Sequence, residues 1–171
     1  MAAHPDYEAL GVDVGGVLVM LTHRDENSPV FRSTYLERPE MPGAIDALAA
    51  LSRERFGDRV HVVSRCGEAM EARTLEWMAR HRFFERTGIT VDRVHFCRTR
   101  EGKAPIAARL GLAHFVDDRL EVLSQMTTVP HRYLFRADDA EVEPFRAHLP
   151  SVTRVDSWTE IVRGLRGGGR G

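Results

Sequence analysis

Residues 99–119 read TREGKAPIAARLGLAHFVDDR. Lys103 begins a segment with the pattern of a helix, and Pro105 stands in its first turn, where a missing N–H costs nothing. A short apolar run, Ala113–Val116, follows and ends on the acidic pair Asp117-Asp118. Helix, buried strand, then acid at the strand's carboxyl end is a unit of an open parallel sheet. In such sheets ligands bind beyond the carboxyl ends of the strands.

The same alternation extends in both directions. Further apolar runs are Ala9–Val14, Val60–Val63, Val91–Phe96, His131–Phe135 and, more weakly, Val152–Val155. Several are nearly continuous in apolar residues, as strands covered on both faces are. Helices are predicted between them. Met41-Pro42-Gly43 opens one that carries Ile45, Leu48, Leu51 and Phe56 on one face. A second spans about 68–81 and carries Met70, Thr74, Trp77 and Met78. Others start at Lys103 and after Asp118, with a fifth around Val142, Phe145 and Leu149. The last carries Trp158, Ile161, Val162 and Leu165, with Asp156 or Ser157 as its N-cap. This alternation predicts an α/β fold, a three-layer α/β/α Rossmann-like arrangement with a mainly parallel sheet. One domain is expected over 1–166, with a glycine-rich tail at 167–171. The polar, non-periodic stretch near 21–40 is too long for a plain connection and is expected to be a functional insert.

Composition narrows the function classes. The chain has 171 residues, with 24 basic and 25 acidic side chains and a formal net charge of −1. No basic excess favours general nucleic-acid binding. No run approaches a membrane span and no secretory signal is visible, so a cytoplasmic setting is expected. Cys66 and Cys97 imply no disulfide framework. Cys66 stands near a helix start, where a thiol pKa can be lowered. The eight histidines form no H-x-H or H-x-x-x-H pair, which gives a zinc site little support.

The strand ends supply the chemistry. Asp13 follows the first run, Ser64-Arg65 the second, Lys103 comes after the third, and Asp117-Asp118 close the fourth. A carboxylate can attack phosphorus if a divalent cation offsets the repulsion between anions. Mg²⁺ takes oxygen ligands and keeps several waters, so two carboxylates and a carbonyl suffice as the protein's share. A hydroxyl and an ammonium can hold the other phosphoryl oxygens. Arg65, Arg98, Arg100 and Arg119 also fall near strand ends, where they could rim a phosphate site.

In order and context these residues resemble the haloacid dehalogenase (HAD) superfamily. Asp13 in LGVDVGGVL resembles its motif I, Ser64 in VHVVSRCG motif II, Lys103 in KAPIAARLGL motif III, and Asp117-Asp118 in HFVDDR motif IV. Residues 99–119 are also similar to deoxyribonucleotidase-like members. The resemblance implies a Mg²⁺-dependent phosphohydrolase. Its nucleophile would be Asp13, its phosphoryl-binding groups Ser64, Arg65 and Lys103, and its metal ligands Asp13, the Gly15 carbonyl and Asp117 or Asp118. The insert at 21–40 would be a minimal cap. That suits a small phosphorylated substrate, a phosphorylated macromolecule in an open cleft, or a homodimer whose partner acts as the lid.

One position departs from the family. Its phosphatases carry a second Asp two residues after the nucleophile, and Gly15 stands there. A general acid contributes about 10²–10⁴-fold. Its loss predicts either slow turnover or a non-catalytic domain that binds a phosphorylated ligand or a protein. His23 or Asp25 in the insert could replace it. GVDVGG also resembles the first phosphate motif of actin-like ATPases, but such folds need two domains and Val17 stands where threonine is usual.

Overall fold

The computed structural model describes residues 7–21, 25, 28 and 30–167. Six parallel strands form one sheet in the order β3-β2-β1-β4-β5-β6. They are β1 (Ala9–Val12), β2 (Val60–Arg65), β3 (Val94–Cys97), β4 (Leu112–Asp117), β5 (His131–Phe135) and β6 (Thr153–Val155). The α-helices are α1 (Phe31–Thr34), α2 (Ala44–Leu51), α3 (Glu68–Arg80), α4 (Phe83–Thr87), α5 (Lys103–Arg109), α6 (Leu120–Gln125), α7 (Asp139–Val142) and α8 (Trp158–Gly167). Two apolar clusters cover the sheet. One holds Leu48, Phe56, Trp77 and Trp158, the other Phe115, Leu120, Leu123 and Met126. The result is the expected three-layer α/β/α arrangement. No described helix is long and apolar enough to cross a membrane.

Strand β1 is fully buried and lies between β2 and β4. The chain builds outward from it to β3 on one side, then crosses to β4 on the other. Strand order therefore reverses at β1, and the crevice at the carboxyl ends of β1 and β4 is the place such a fold offers a ligand. Gly11 lets the two strands approach, because a Cβ there would lie 2.6 Å from Phe115 Cδ2.

Several boundaries differ from the sequence expectation. Strand β1 ends at Val12 rather than Val14, since the chain turns into the 14–19 loop, where Leu18 N donates to Val14 O at 2.8 Å. Strand β3 starts at Val94, because Val91–Arg93 form a 3₁₀ turn. The helix expected around Val142, Phe145 and Leu149 is α7 followed by a 3₁₀ run over Glu143–Ser151. Pro144 and Pro150 each remove a backbone donor there. Helix α4 has too few residues to show a period and was not expected. Ser157 Oγ accepts from Glu160 N at 3.2 Å, so it caps α8 as anticipated.

The 21–40 insert leaves and rejoins the core side by side. Met20 N donates to Pro39 O at 3.0 Å, Met41 N to Leu18 O at 2.7 Å, and Val19 bridges Glu40. Its described part holds α1 and the 3₁₀ turn Tyr35–Glu37. The exit is anchored: Trp77 Nε1 donates to Arg38 O at 2.8 Å, and Arg86 Nη1 donates to Glu40 at 2.6 Å. His23 and the tail beyond 167 lie outside the described residues.

Candidate active site at the strand-order switch

The residues singled out at the strand ends converge. Asp13 N donates to Val116 O at 2.9 Å, which sets Asp13 beside the end of β4. Lys103, the first residue of α5, reaches back over the sheet. Its Nζ lies 2.8 Å from Asp13 Oδ1 and 2.8 Å from Asp117 Oδ2. Asp117 is fully buried, and its Oδ1 accepts from Arg119 N at 3.0 Å. The carboxylates of Asp13, Asp117 and Asp118 offer ligand atoms all within 4.8 Å of one another. Asp118 packs over Gly16, whose φ is +76° and whose missing Cβ would lie 2.4 Å from Asp118 Oδ2.

Three carboxylates and one ammonium in a buried corner leave an excess of negative charge. Burial raises the Asp117 pKa, the neighbouring Asp13 charge raises it further, and Lys103 only partly opposes them, so it stands at about 6. Burial, Asp13 and Asp117 push Asp118 well above the ordinary carboxylate range. Burial alone would lower the Lys103 ammonium. Asp117 and Asp13 outweigh it and hold Lys103 above its usual value. Closely spaced hard oxygen donors with uncompensated charge suit a divalent cation.

A cavity of about 280 Å³ reaches Asp13 and Lys103 of this cluster, while Asp118 faces a neighbouring cavity with Gly16 and Asp25. Asp13, Gly15, Ser64, Arg65 and Lys103 all line it. Ser64 is buried at the carboxyl end of β2 and Arg65 is exposed beside it. Ser64 is not the cap of the following helix, which begins at Glu68 after Gly67. Arg100 and Arg119 belong to the rim, and Arg100 also pairs with Glu121 at 2.8 Å. Arg98 does not line the cavity; it bonds Cys66 O at 3.0 Å and pairs with Glu71. Sequence reasoning missed Phe31, Arg32, Tyr35 and Thr74, which wall the cavity from the insert and α3. In the sequence Thr74 reads only as part of a core stripe, and the insert carries no periodicity to read.

The Cys66 thiol is not activated: burial, then Glu71, raise its pKa to about 11. Asp25, considered as a substitute acid, pairs with Arg38 at 3.0 Å and does not line the cavity with Asp13.

Comparison with solved structures decides the fold type. A HAD-superfamily hydrolase of subfamily IA, variant 1, from Geobacter sulfurreducens PCA superposes with a TM-score of 0.59 at 14% identity, over 96% of this chain and 99% of that one. The chain shares its fold with that HAD-superfamily hydrolase. A Thermotoga maritima protein assigned as a beta-phosphoglucomutase superposes on this chain with a TM-score of 0.62 at 14% identity, over 94% of this chain and 99% of that one. A HAD-like phosphatase from Mesorhizobium loti gives 0.54 at 16% identity, over 98% and 90%. At such identities the HAD-like likeness is one of fold. No protein-family model matches the sequence, and no curated protein is similar to it.

Proposed function

We propose that this HAD-like chain is a Mg²⁺-dependent phosphohydrolase acting through an aspartyl-phosphate on Asp13, slowed by Gly15. The observation that carries this is Lys103 Nζ, 2.8 Å from both Asp13 and Asp117, with Lys103 and Asp13 lining the cavity. Asp13, the Gly15 carbonyl, Asp117 and Asp118 would hold Mg²⁺, which when bound offsets phosphoryl charge against the attacking carboxylate. The free Asp13 oxygen attacks phosphorus while the bond to the leaving oxygen breaks. Ser64 donates a hydrogen bond to one phosphoryl oxygen, and Lys103 and Arg65 hold the others. Water then releases phosphate and restores Asp13. Gly15 has no side chain to protonate the leaving oxygen or to take a proton from that water. Substrates with good leaving groups should therefore turn over fastest.

On the same reading the protein is a cytoplasmic single domain whose 21–40 insert is a minimal cap. The open cleft suits a phosphomonoester, a nucleotide-type substrate or a phosphorylated macromolecule, and leaves room for a homodimer. Gly15 also favours a second reading, a non-catalytic domain that binds a phosphorylated ligand or a protein partner. Hydrolysis of an aryl phosphate with Mg²⁺, wild type against Asp13→Asn, separates the two. Loss of phosphate release in the variant is expected. Equal rates would sink the mechanism, and no turnover by the wild type alongside retained Mg²⁺ binding would favour the binding domain.

A further inference from the structure

Three ligand-type side chains that phosphoryl transfer does not use converge at the opposite end of the sheet. Glu8 precedes β1, His114 lies near the start of β4, and His131 opens β5. Parallel pairing aligns them: Leu10 stands opposite His114, and His114 opposite His131. Their ligating atoms all lie within 4.8 Å of one another. Glu8 Oε2 is 2.9 Å from His114 Nε2, and His114 Nδ1 is 3.3 Å from the Tyr133 hydroxyl. Phe56 packs edge-on against the His114 ring at 5.7 Å, and the His131 ring stacks on it at 4.7 Å.

We propose that Glu8, His114 and His131 bind one Zn²⁺ ion, independently of the chemistry at Asp13. Two imidazoles and a carboxylate form a zinc donor set, whereas the all-oxygen cluster at Asp13 suits Mg²⁺. Zinc bonds to nitrogen and oxygen are about 2.0–2.2 Å long. An ion can therefore replace the proton shared by Glu8 and His114 with little separation of the pair. The Tyr133 hydroxyl oxygen then accepts a hydrogen bond from His114 Nδ1–H, which fixes the tautomer that presents Nε2 to the ion. His131 is exposed, so turning its ring toward the ion displaces solvent rather than protein. Arg55 Nη2 also donates to Glu8 Oε2 at 2.6 Å. Its charge opposes the ion, so affinity on the order of micromolar is expected rather than the tighter binding of a structural zinc finger.

The sequence concealed this set because its members come from two strands and the residue before a third, with no local histidine pair. The test is calorimetric titration of the EDTA-stripped full chain with ZnCl₂, using wild type, His131→Ala, Glu8→Gln and Asp118→Asn. One Zn²⁺ event should weaken at least about tenfold in His131→Ala and Glu8→Gln and persist in Asp118→Asn. Co²⁺ should show the absorption of a tetrahedral site in the wild type and lose it in His131→Ala. Circular dichroism verifies that His131→Ala, an exposed position, remains folded. The proposal is overturned if the wild type binds no Zn²⁺, if His131→Ala binds it undiminished, or if the event disappears with Asp118→Asn instead. None of these outcomes depends on phosphatase activity.

Discussion

Lys103 holds Asp13 by a 2.8 Å contact across a separation of 90 residues in the chain. The same ammonium reaches Asp117, so one buried cation is shared by carboxylates at the ends of two adjacent strands. A buried charge is tolerable only when paired, and removing one partner leaves the others uncompensated. Lys103→Met should therefore lower unfolding free energy by about 3 kcal/mol near pH 8. Urea denaturation measures it; a loss below about 0.5 kcal/mol would mean the carboxylates do not depend on this cation.

Gly16 tests how tightly the loop after Asp13 is packed. Its φ of +76° is unfavourable for any residue with a Cβ, and that Cβ would meet Asp118. Gly16→Ala is expected to cost about 1–3 kcal/mol and to displace Asp118. Thermal melting should show the loss, and Mg²⁺ titration should show weakened binding. A variant as stable as the wild type would mean the loop relaxes freely.

Gly15→Asp examines the missing acid. If the rest of the site is intact, hydrolysis should rise by about 10²–10⁴-fold. The gain should be larger for an alkyl phosphate than for an aryl phosphate, because the poorer leaving group needs the proton more. An unchanged rate would point to the binding-domain reading.

Glu40 predicts a pH dependence at the exit of the insert. Burial tends to raise its pKa, but hydrogen bonds from Arg86 and His81 outweigh it and lower the value below 4.5. Between the folded value and that ordinary one, the unfolded chain binds more protons, so stability rises with pH. The contribution is complete above the ordinary value and is lost as pH falls through the folded one. The carboxylate is partly exposed, so Glu40→Gln should cost no more than about 1 kcal/mol at pH 7. Melting temperatures of variant and wild type should converge as the solution is acidified below that range. A gap that stays constant with pH would show that the charge contributes nothing.

Much of the fold was legible because burial on both faces writes itself as apolar runs. His131–Phe135 has the bounds that the run predicts, and Trp77 and Trp158 are buried as their helical stripes require. Elements of a few residues, such as Phe83–Thr87, carry no period and could not be read. Asp13, Ser64, Asp117 and Asp118 were legible as strand-end residues, and Lys103 as a helix-start residue, of chemically consistent types. Tyr35 and Thr74 were not, because nothing local distinguishes a cavity wall from a core side chain.

Taken alone, the sequence determined the alternation of strands and helices and the order in which reactive residues meet strand ends. Both follow from local hydrophobic period and turn chemistry. Only the tertiary structure decided which strand ends are neighbours. Placing β1 between β2 and β4 brings Asp13, Lys103 and Asp117 to contact and, at the other end, sets Glu8 against His114 and His131. Those encounters depend on strand order and register, which are settled by long-range packing and hydrogen bonding that no stretch of sequence contains by itself.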